Sequence, residues 1–368
     1  MSVFCLAPFK SIVVDTDGTV LPCCEFMIDK SKPTIKIHDY TKTWGTDYRE
    51  AMISDTRLSE CNHCISKEHD PNYKSLRQTF NGLYSGTEHL VEEIEIRFGN
   101  YCNLKCLMCG DYASSSIAAE YTKFTSEYNS VNMHFTPTQT VRWWENTETV
   151  AKLKDILKNV TKINFGGGEP LLAPESVELL NSLDVDKVKH VSINTNLTKL
   201  SDSALAAFRR LKRIGIRVSL EGIEQHNDYV RHGSSWAVID KHINILKQEP
   251  TVALGFTHVL QHTSVYALPK LIAYAEEKNI PIMMSEVYYG SYPEPGVLTL
   301  NSVSPEIMGK FKDWLAGYNG RYKDRLSVWS SSYEFDSVLH EKFNRYVAML
   351  DSIRQTNFKS TFRLDISH

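Results

Sequence analysis

The chain has 368 residues of which 42% are hydrophobic, enough to bury a large core in two or three domains or in one barrel with additions. Lys plus Arg number 41 against 44 Asp plus Glu, a formal charge of -3, and with no run of like charges and no basic tail the composition carries no sign of a nucleic-acid or anionic-membrane partner. The opening MSVFCLAPFK lacks a long apolar core behind a basic stretch, and no window approaches about 18 consecutive apolar residues, so neither signal peptide nor membrane span is expected and the expected location is cytoplasmic.

In chain order, residues 1–88 are loop-rich: SIVV, the turn DTDG and TVLPCC read as a short hairpin, followed by KPTIKIHDY and a helix-like stretch before CNHC. This segment is expected to be a small metal-held module. From residue 92 six apolar strand-like runs follow, EEIEIRFGN, KINFGGGE, KHVSINTN, RIGIRVSLEG, VALGFTHVLQ and PIMMSEVYY. Between them stand helical candidates such as PESVELLNSL, SDSALAAFRRL, WAVIDKHINILK and LPKLIAYAEEKN. Strands alternating with helices predict a parallel sheet with right-handed crossovers, closing as a partial (β/α)6 TIM-like barrel over 89–300. Residues 111–150 interrupt the first two strands and are expected to supply one helix and a loop. The tail 301–368 has helical periodicity in EIMGKFKDWLAGY and VLHEKFNRYVAMLDSIR, and is expected to be a helical extension packed on the barrel.

The cysteines carry the chemistry. Five are early (Cys5, Cys23, Cys24, Cys61, Cys64), three are together (Cys102, Cys106, Cys109), and none follows. In a reducing compartment such clusters read as metal or catalysis rather than disulfides. Cys102-x3-Cys106-x2-Cys109 follows the first barrel strand and supplies three thiolates from one loop. A structural zinc site normally takes four protein ligands, whereas an iron–sulfur cube on three cysteines leaves one iron open.

This spacing at the end of the first strand resembles the radical SAM signature, and further motifs follow in the family's order. Gly166-Gly167-Gly168-Glu169-Pro170 resembles the family's GGEP motif, Asn194-Thr195-Asn196 its TN pair, and Ser219-Leu220-Glu221-Gly222 with His226, Asn227 and Arg231 its SLDG…R stretch. The resemblance implies a [4Fe–4S] cluster with an open iron on Cys102, Cys106 and Cys109, and S-adenosylmethionine (SAM) bound beside it. It implies that the backbone and carboxylate of Gly167, Gly168, Glu169 and Pro170 receive the methionyl ammonium, and that Asn196, Ser219 and Arg231 hold the ribose and carboxylate. The sites lie at strand carboxyl ends, where barrel enzymes build active sites. Met108 stands where an aromatic residue is usual, and Leu197 follows the TN pair where glycine occurs in a variant.

The early cysteines resemble the auxiliary-cluster modules called SPASM or twitch, through Gly18-x4-Cys23 and Cys61-x2-Cys64, with Cys5 as fourth ligand. A four-cysteine zinc knuckle fits the spacing nearly as well. Cys24 is left over, as an alternative ligand, a redox-active thiol or, as first choice, a small buried hydrophobe. The module precedes the barrel, whereas peptide-modifying relatives carry it afterwards. The resemblance implies reductive cleavage of SAM to a 5′-deoxyadenosyl radical that abstracts hydrogen from a substrate, either a peptide side chain or, as second choice, a nucleoside or nucleotide. It also implies an external electron donor such as flavodoxin or ferredoxin. The rival from another class is a zinc-bearing binding protein in which both cysteine groups are structural.

Overall fold

The structure is a computed structural model that describes residues 2–28, 32–68, 74–133, 138–287 and 293–363. Ten strands are described: β1 (Ser11–Val14), β2 (Val20–Leu21), β3 (Glu93–Arg97), β4 (Lys105–Cys106), β5 (Lys162–Gly166), β6 (His190–Thr195), β7 (Ile214–Ser219), β8 (Arg231–His232), β9 (Val252–Leu260) and β10 (Ile282–Glu286). Eight of them build a largely parallel sheet, and β4 and β8 form a separate ribbon. All six strand-like runs of the sequence are strands, the last as far as Glu286; its Tyr288 and Tyr289 lie outside the described residues. The fold is mixed α/β, with helices Pro174–Ser182, Asp202–Arg210, Trp236–Lys247 and Ser264–Lys278 making the crossovers that parallel strands require. The last begins four residues before the LPKL run and carries Pro269 inside it, giving up one backbone bond in exchange for a first turn that buries Ser264, Val265, Ala267 and Leu268.

The chain divides into two compact units. The first comprises Met1–Asn100, Thr140–Asn194 and Asp202–Ile214. Its strands run in the order β2-β1-β3-β5-β6, with β1 antiparallel to β2 and parallel to β3 in the register Ser11↔Glu93 to Val14↔Ile96. The early hairpin is therefore part of the sheet. Ile94, Ile96, Ile163, Phe165, Val191 and Ile193 are buried. They alternate with Glu93, Glu95, Asn164 and Ser192, as the period of two dictates. The polar set bonds across strands: Asn164 Nδ2 donates to Glu93 Oε1 at 2.7 Å, Lys162 Nζ lies 2.9 Å from Glu93, and Ser192 Oγ donates to Asn164 Oδ1. KPTIKIHDY contributes a single bridge, Thr19↔Lys36, and a 3-10 turn Ile37–Asp39.

The second unit comprises Tyr101–Gln139, Thr195–Ser201 and Gly215–His368. β9 and β10 pair in parallel, Ile282↔Phe256 to Glu286↔Leu260, and β7 neighbours β9. The region 111–150 is more helical than expected: Ser115–Lys123 and Thr125–Ser130 are helices, Trp143–Glu145 is a 3-10 turn, and a helix starts at Thr147. Ser114 starts the first of these by accepting from Ile117 N, the usual N-cap arrangement. The tail is helical as expected, in Pro305–Gly317, Lys323–Ser331, Ser337–Arg354 and Phe358–Thr361. Helix Ser337–Arg354, capped by Asp336, buries Phe343, Tyr346, Val347 and Leu350 against Leu107, Ile117, Tyr121 and Tyr128. Each such large apolar side chain contributes roughly 1.5–3 kcal/mol by leaving water. Among the described residues no helix is long and apolar enough to cross a membrane.

Candidate cluster and cofactor site

In the second unit the three-cysteine loop is held by its backbone. β4 and β8 pair antiparallel with Cys106 opposite Arg231, and Leu107 N donates to Val230 O at 2.9 Å. Gly233, at φ +99°, lets the ribbon approach closely: a Cβ there would stand 3.2 Å from Asn103 O. Hydroxyls take up the loop's carbonyls, Ser114 Oγ to Leu104 O at 2.7 Å, Ser116 Oγ to Cys102 O at 2.8 Å and Tyr346 Oη to Leu107 O at 3.1 Å. Cys106 is buried, and Cys102 and Cys109 are half-buried. Burial pushes the Cys106 thiol up, opposed by the adjacent Arg231 charge, and burial together with Cys106 and Cys102 pushes Cys109 well up. Bound cations reverse that logic by deprotonating their thiol ligands.

Polar groups face these sulfurs. Arg231 Nη1 lies 3.7 Å from Cys106 Sγ, Asn196 Nδ2 3.8 Å from Cys102 Sγ, and Leu104 N donates to Cys102 Sγ at 3.5 Å. Asn196 is otherwise engaged within the loop region, accepting from Thr198 N at 2.9 Å and donating to Asn103 Oδ1 at 3.1 Å. Ser219, at the end of β7, accepts from Thr257 Oγ1 at 3.3 Å. The Arg231 guanidinium is paired with Glu221, Nη2 to Oε1 at 2.7 Å. The fully buried Glu221 also accepts from Val259 N at 3.1 Å and Gln261 Nε2 at 3.4 Å. Arg231 Nε and Gln261 Oε1 are buried without a partner. His226 serves packing, stacking on Phe362 and bonding Thr361 O through Nε2 at 3.0 Å.

The donor set fits a cluster. Three thiols on one loop, with N–H donors aimed at two of them and orphaned polar atoms alongside, suit a group that needs three sulfur ligands and leaves one position open. Among the described residues no three Cys, His, Asp or Glu side chains converge closely enough to share a single metal ion. A cube of iron and sulfide holds its thiolates farther apart than one ion does.

In the first unit the glycine-rich motif ends β5. Gly167 has φ +100°, and a Cβ on it would meet Arg97 Cβ at 2.9 Å, so only glycine fits without displacement. Gly168 N donates to Gly99 O at 3.3 Å. Glu169 is buried beside the buried Pro170, with Oε1 accepting from Leu171 N at 3.0 Å.

The early cysteines lie around one apolar cluster of this unit, with Cys5, Cys23 and Cys61 packed against Leu6, Phe9, Met52 and Phe80. Burial raises the Cys5 thiol to about 12, with Cys61 and Cys64 adding to the rise, and burial raises Cys61 to about 11 with Cys64 adding. Burial likewise lifts Cys23, with Cys24, Cys5 and Cys64 contributing. Arg77 ties this region together, pairing with Glu68 and donating to Ser2 O at 2.8 Å and Phe4 O at 3.1 Å. Cys24 is exposed as a residue, unlike the buried hydrophobe expected, yet burial of its sulfur, with Glu95 and Glu25 adding, raises the thiol to about 12.

Residues 96–262 match the family model described as the radical SAM superfamily. The chain is 29% identical over 140 residues to a probable GTP 3′,8-cyclase of Methanocella arvoryzae, covering 37% of this chain and 36% of that protein. It thus spans about a third of the length of that curated relative. Among solved structures it is similar to native anSMEcpe with bound AdoMet and Cp18Cys peptide (18% identity, 64% of this chain and 61% of that, TM-score 0.41). It is also similar to SuiB of Streptococcus suis bound to S-adenosylmethionine (16% identity, 64% and 48%, TM-score 0.43). Residues 96–262 are therefore a radical SAM superfamily domain, which is an enzyme domain.

Proposed function

We infer that the protein cleaves SAM reductively and uses the resulting 5′-deoxyadenosyl radical to abstract hydrogen from a substrate, a peptide side chain in the first reading. The observation that carries this is the three-cysteine loop, fixed by the β4–β8 ribbon, with N–H donors directed at Cys102 and Cys106. Cys102, Cys106 and Cys109 would hold a [4Fe–4S] cluster, which when bound supplies the electron that splits SAM into methionine and the radical. Glu169 offers a carboxylate to the methionyl ammonium, and the tight turn at Gly167 and Gly168 exposes backbone for the same group. Asn196 and Ser219 offer polar atoms to the ribose. Buried residues of the loop keep water from Cys106, while Cys102 and Cys109 are half-buried. Cys5, Cys23, Cys61 and Cys64, in residues 1–88, would hold an auxiliary cluster of the SPASM or twitch kind, and this likeness favours the peptide substrate. An external low-potential donor, flavodoxin or ferredoxin, would supply electrons.

A nucleoside or nucleotide substrate is the second reading, favoured by the likeness to a probable GTP 3′,8-cyclase. Anaerobic purification with metal and sulfide analysis, followed by assay of 5′-deoxyadenosine, tests the reading. The expected result is a brown protein that forms 5′-deoxyadenosine under reduction, and a Cys106→Ala variant that does not. A colourless zinc protein, or undiminished product from Cys106→Ala, refutes it.

A further inference from the structure

We propose that Arg231 is a positioning residue for the cluster, one that sets its reduction potential through Cys106 with Glu221 as counter-charge, and is not a ligand of SAM. The inference rests on the cluster reading above. Its first support is register: Cys106 and Arg231 are directly opposed in the β4–β8 pair, where side chains of an antiparallel couple share a face. Leu107 N to Val230 O at 2.9 Å and the close approach at Gly233 lock that register. Placement of the guanidinium beside the sulfur is thus a property of the backbone.

The second support is the disposition of the guanidinium's donors. Nη2 is spent on Glu221 Oε1 at 2.7 Å, Nη1 points at Cys106 Sγ at 3.7 Å, and Nε is buried without a partner. The side chain is 11% exposed and that of Glu221 0%. A carboxylate so buried needs a cation held to it, because an unpaired buried charge is strongly destabilising. With Nη2 on Glu221 and Nη1 on the sulfur, only Nε is left without a partner, one donor short of the paired fork that grips a second carboxylate.

The electrostatic consequence has a definite sign. The reduced cluster carries one more negative charge than the oxidised one, so a cation and an N–H···S bond at a ligating sulfur favour reduction, and a carboxylate opposes it. Arg231 therefore raises the potential while Glu221 lowers it and fixes the arginine. Removing Arg231 alone strips the cation and leaves the Glu221 charge facing the site. Neutralising both removes the imbalance and keeps the shapes.

The test is an anaerobic redox titration of the reconstituted full-length protein, without SAM, following the electron paramagnetic resonance signal that added SAM perturbs. That criterion separates this cluster from any auxiliary one. In Arg231→Gln the one-electron reduction equilibrium should fall about tenfold, ~59 mV toward more negative potential. Arg231→Lys, which keeps the charge, should fall less, and Arg231→Gln with Glu221→Gln should return most of the way to wild type. SAM affinity should stay within about threefold in the double variant, since a tenfold loss would correspond to about 1.4 kcal/mol of lost ligand contact. An unmoved potential in Arg231→Gln overturns the inference and leaves the functional reading standing. So does an unmoved potential with a tenfold loss of SAM binding in the double variant, which would make Arg231 a SAM ligand. If Arg231→Gln fails to load iron, Arg231→Lys decides on the potential, where an unmoved value overturns the inference, and the double variant decides on SAM affinity. Wild-type protein with no SAM-sensitive signal refutes the functional reading and the inference together.

Discussion

Replacing Arg354 by methionine should destabilise the second unit by about 3 kcal/mol. In the folded chain Arg354 Nη2 donates to Glu120 Oε1 at 2.7 Å and its Nε at 3.2 Å, with both side chains almost completely buried. Breaking such a pair from one side typically costs about 3–5 kcal/mol, because the remaining charge is stranded. The low end applies, since Lys105 Nζ at 2.8 Å and Tyr128 Oη at 2.6 Å still serve Glu120. Burial alone would raise the Glu120 carboxyl; Arg354, Lys105 and Tyr128 instead hold it down at about 2, against 4.5 for the ordinary group. A depressed carboxyl contributes stability that is present above the unfolded value and lost as pH falls from about 4.5 toward 2. At about 1.4 kcal/mol per unit this acid-labile part, which Lys105 and Tyr128 share with Arg354, is on the order of 3 kcal/mol. Urea titrations of wild type, Arg354→Met and Glu120→Gln with Arg354→Met, at neutral pH and near pH 3, measure it. The single variant should lose stability and much of its acid sensitivity, and the double variant should recover part of the loss. A single variant within about 1 kcal/mol of wild type at neutral pH, or one with undiminished acid sensitivity, refutes the reasoning.

Glu169→Ala should weaken SAM binding to cluster-loaded protein by about thirtyfold or more, from the roughly 2–5 kcal/mol that truncating one member of a desolvated ion pair costs. Glu169→Gln should weaken it less, since the amide keeps an acceptor oxygen; calorimetric titration reads both, and wild-type affinity in Glu169→Ala would place SAM elsewhere. Replacing Cys102, Cys106 and Cys109 together by alanine should leave part of the iron and of the brown colour on the cysteines of residues 1–88. Iron at background with zinc present in a folded protein would favour the zinc knuckle there.

The strands were legible because burial of one face imposes a period of two that survives in the letters: Ile94 and Ile96, Ile163 and Phe165, and Val191 and Ile193 alternate with polar neighbours in both sequence and structure. The three-cysteine loop was legible because its donors are close in sequence. What holds the loop was not. Tyr346 reaches Leu107 O from 239 residues away and Arg354 reaches Glu120 from 234, and no local pattern encodes a contact of that range. The tail offered only helical periodicity, which says that a face is buried without saying against what. Of the two short helices Ser115–Lys123 and Thr125–Ser130 the sequence led us to expect one, because Tyr, Thr and Ser are weak helix formers, and packing of Ile117, Tyr121 and Tyr128 into the core supplies what propensity does not.

Glu221 stood in view within SLEG, yet its role depends on a partner that only the fold supplies. Glu221, which stands where the resembled SLDG stretch has aspartate, and Met108, which stands where an aromatic residue is usual, meet at one side chain. Gln261 Nε2, at the end of β9, lies 3.8 Å from Met108 Sδ and 3.4 Å from Glu221 Oε2. A side chain one methylene longer than aspartate extends the carboxylate far enough from β7 to meet Arg231 at 2.7 Å on the facing ribbon. A flexible thioether leaves the adjacent space adaptable where a planar ring would fill it. The amide between them is fully buried with its Oε1 unpartnered, an arrangement that costs free energy unless a donor meets that oxygen in the working state. Gln261 therefore links the carboxylate that serves the arginine beside Cys106 to the side chain of the residue before Cys109.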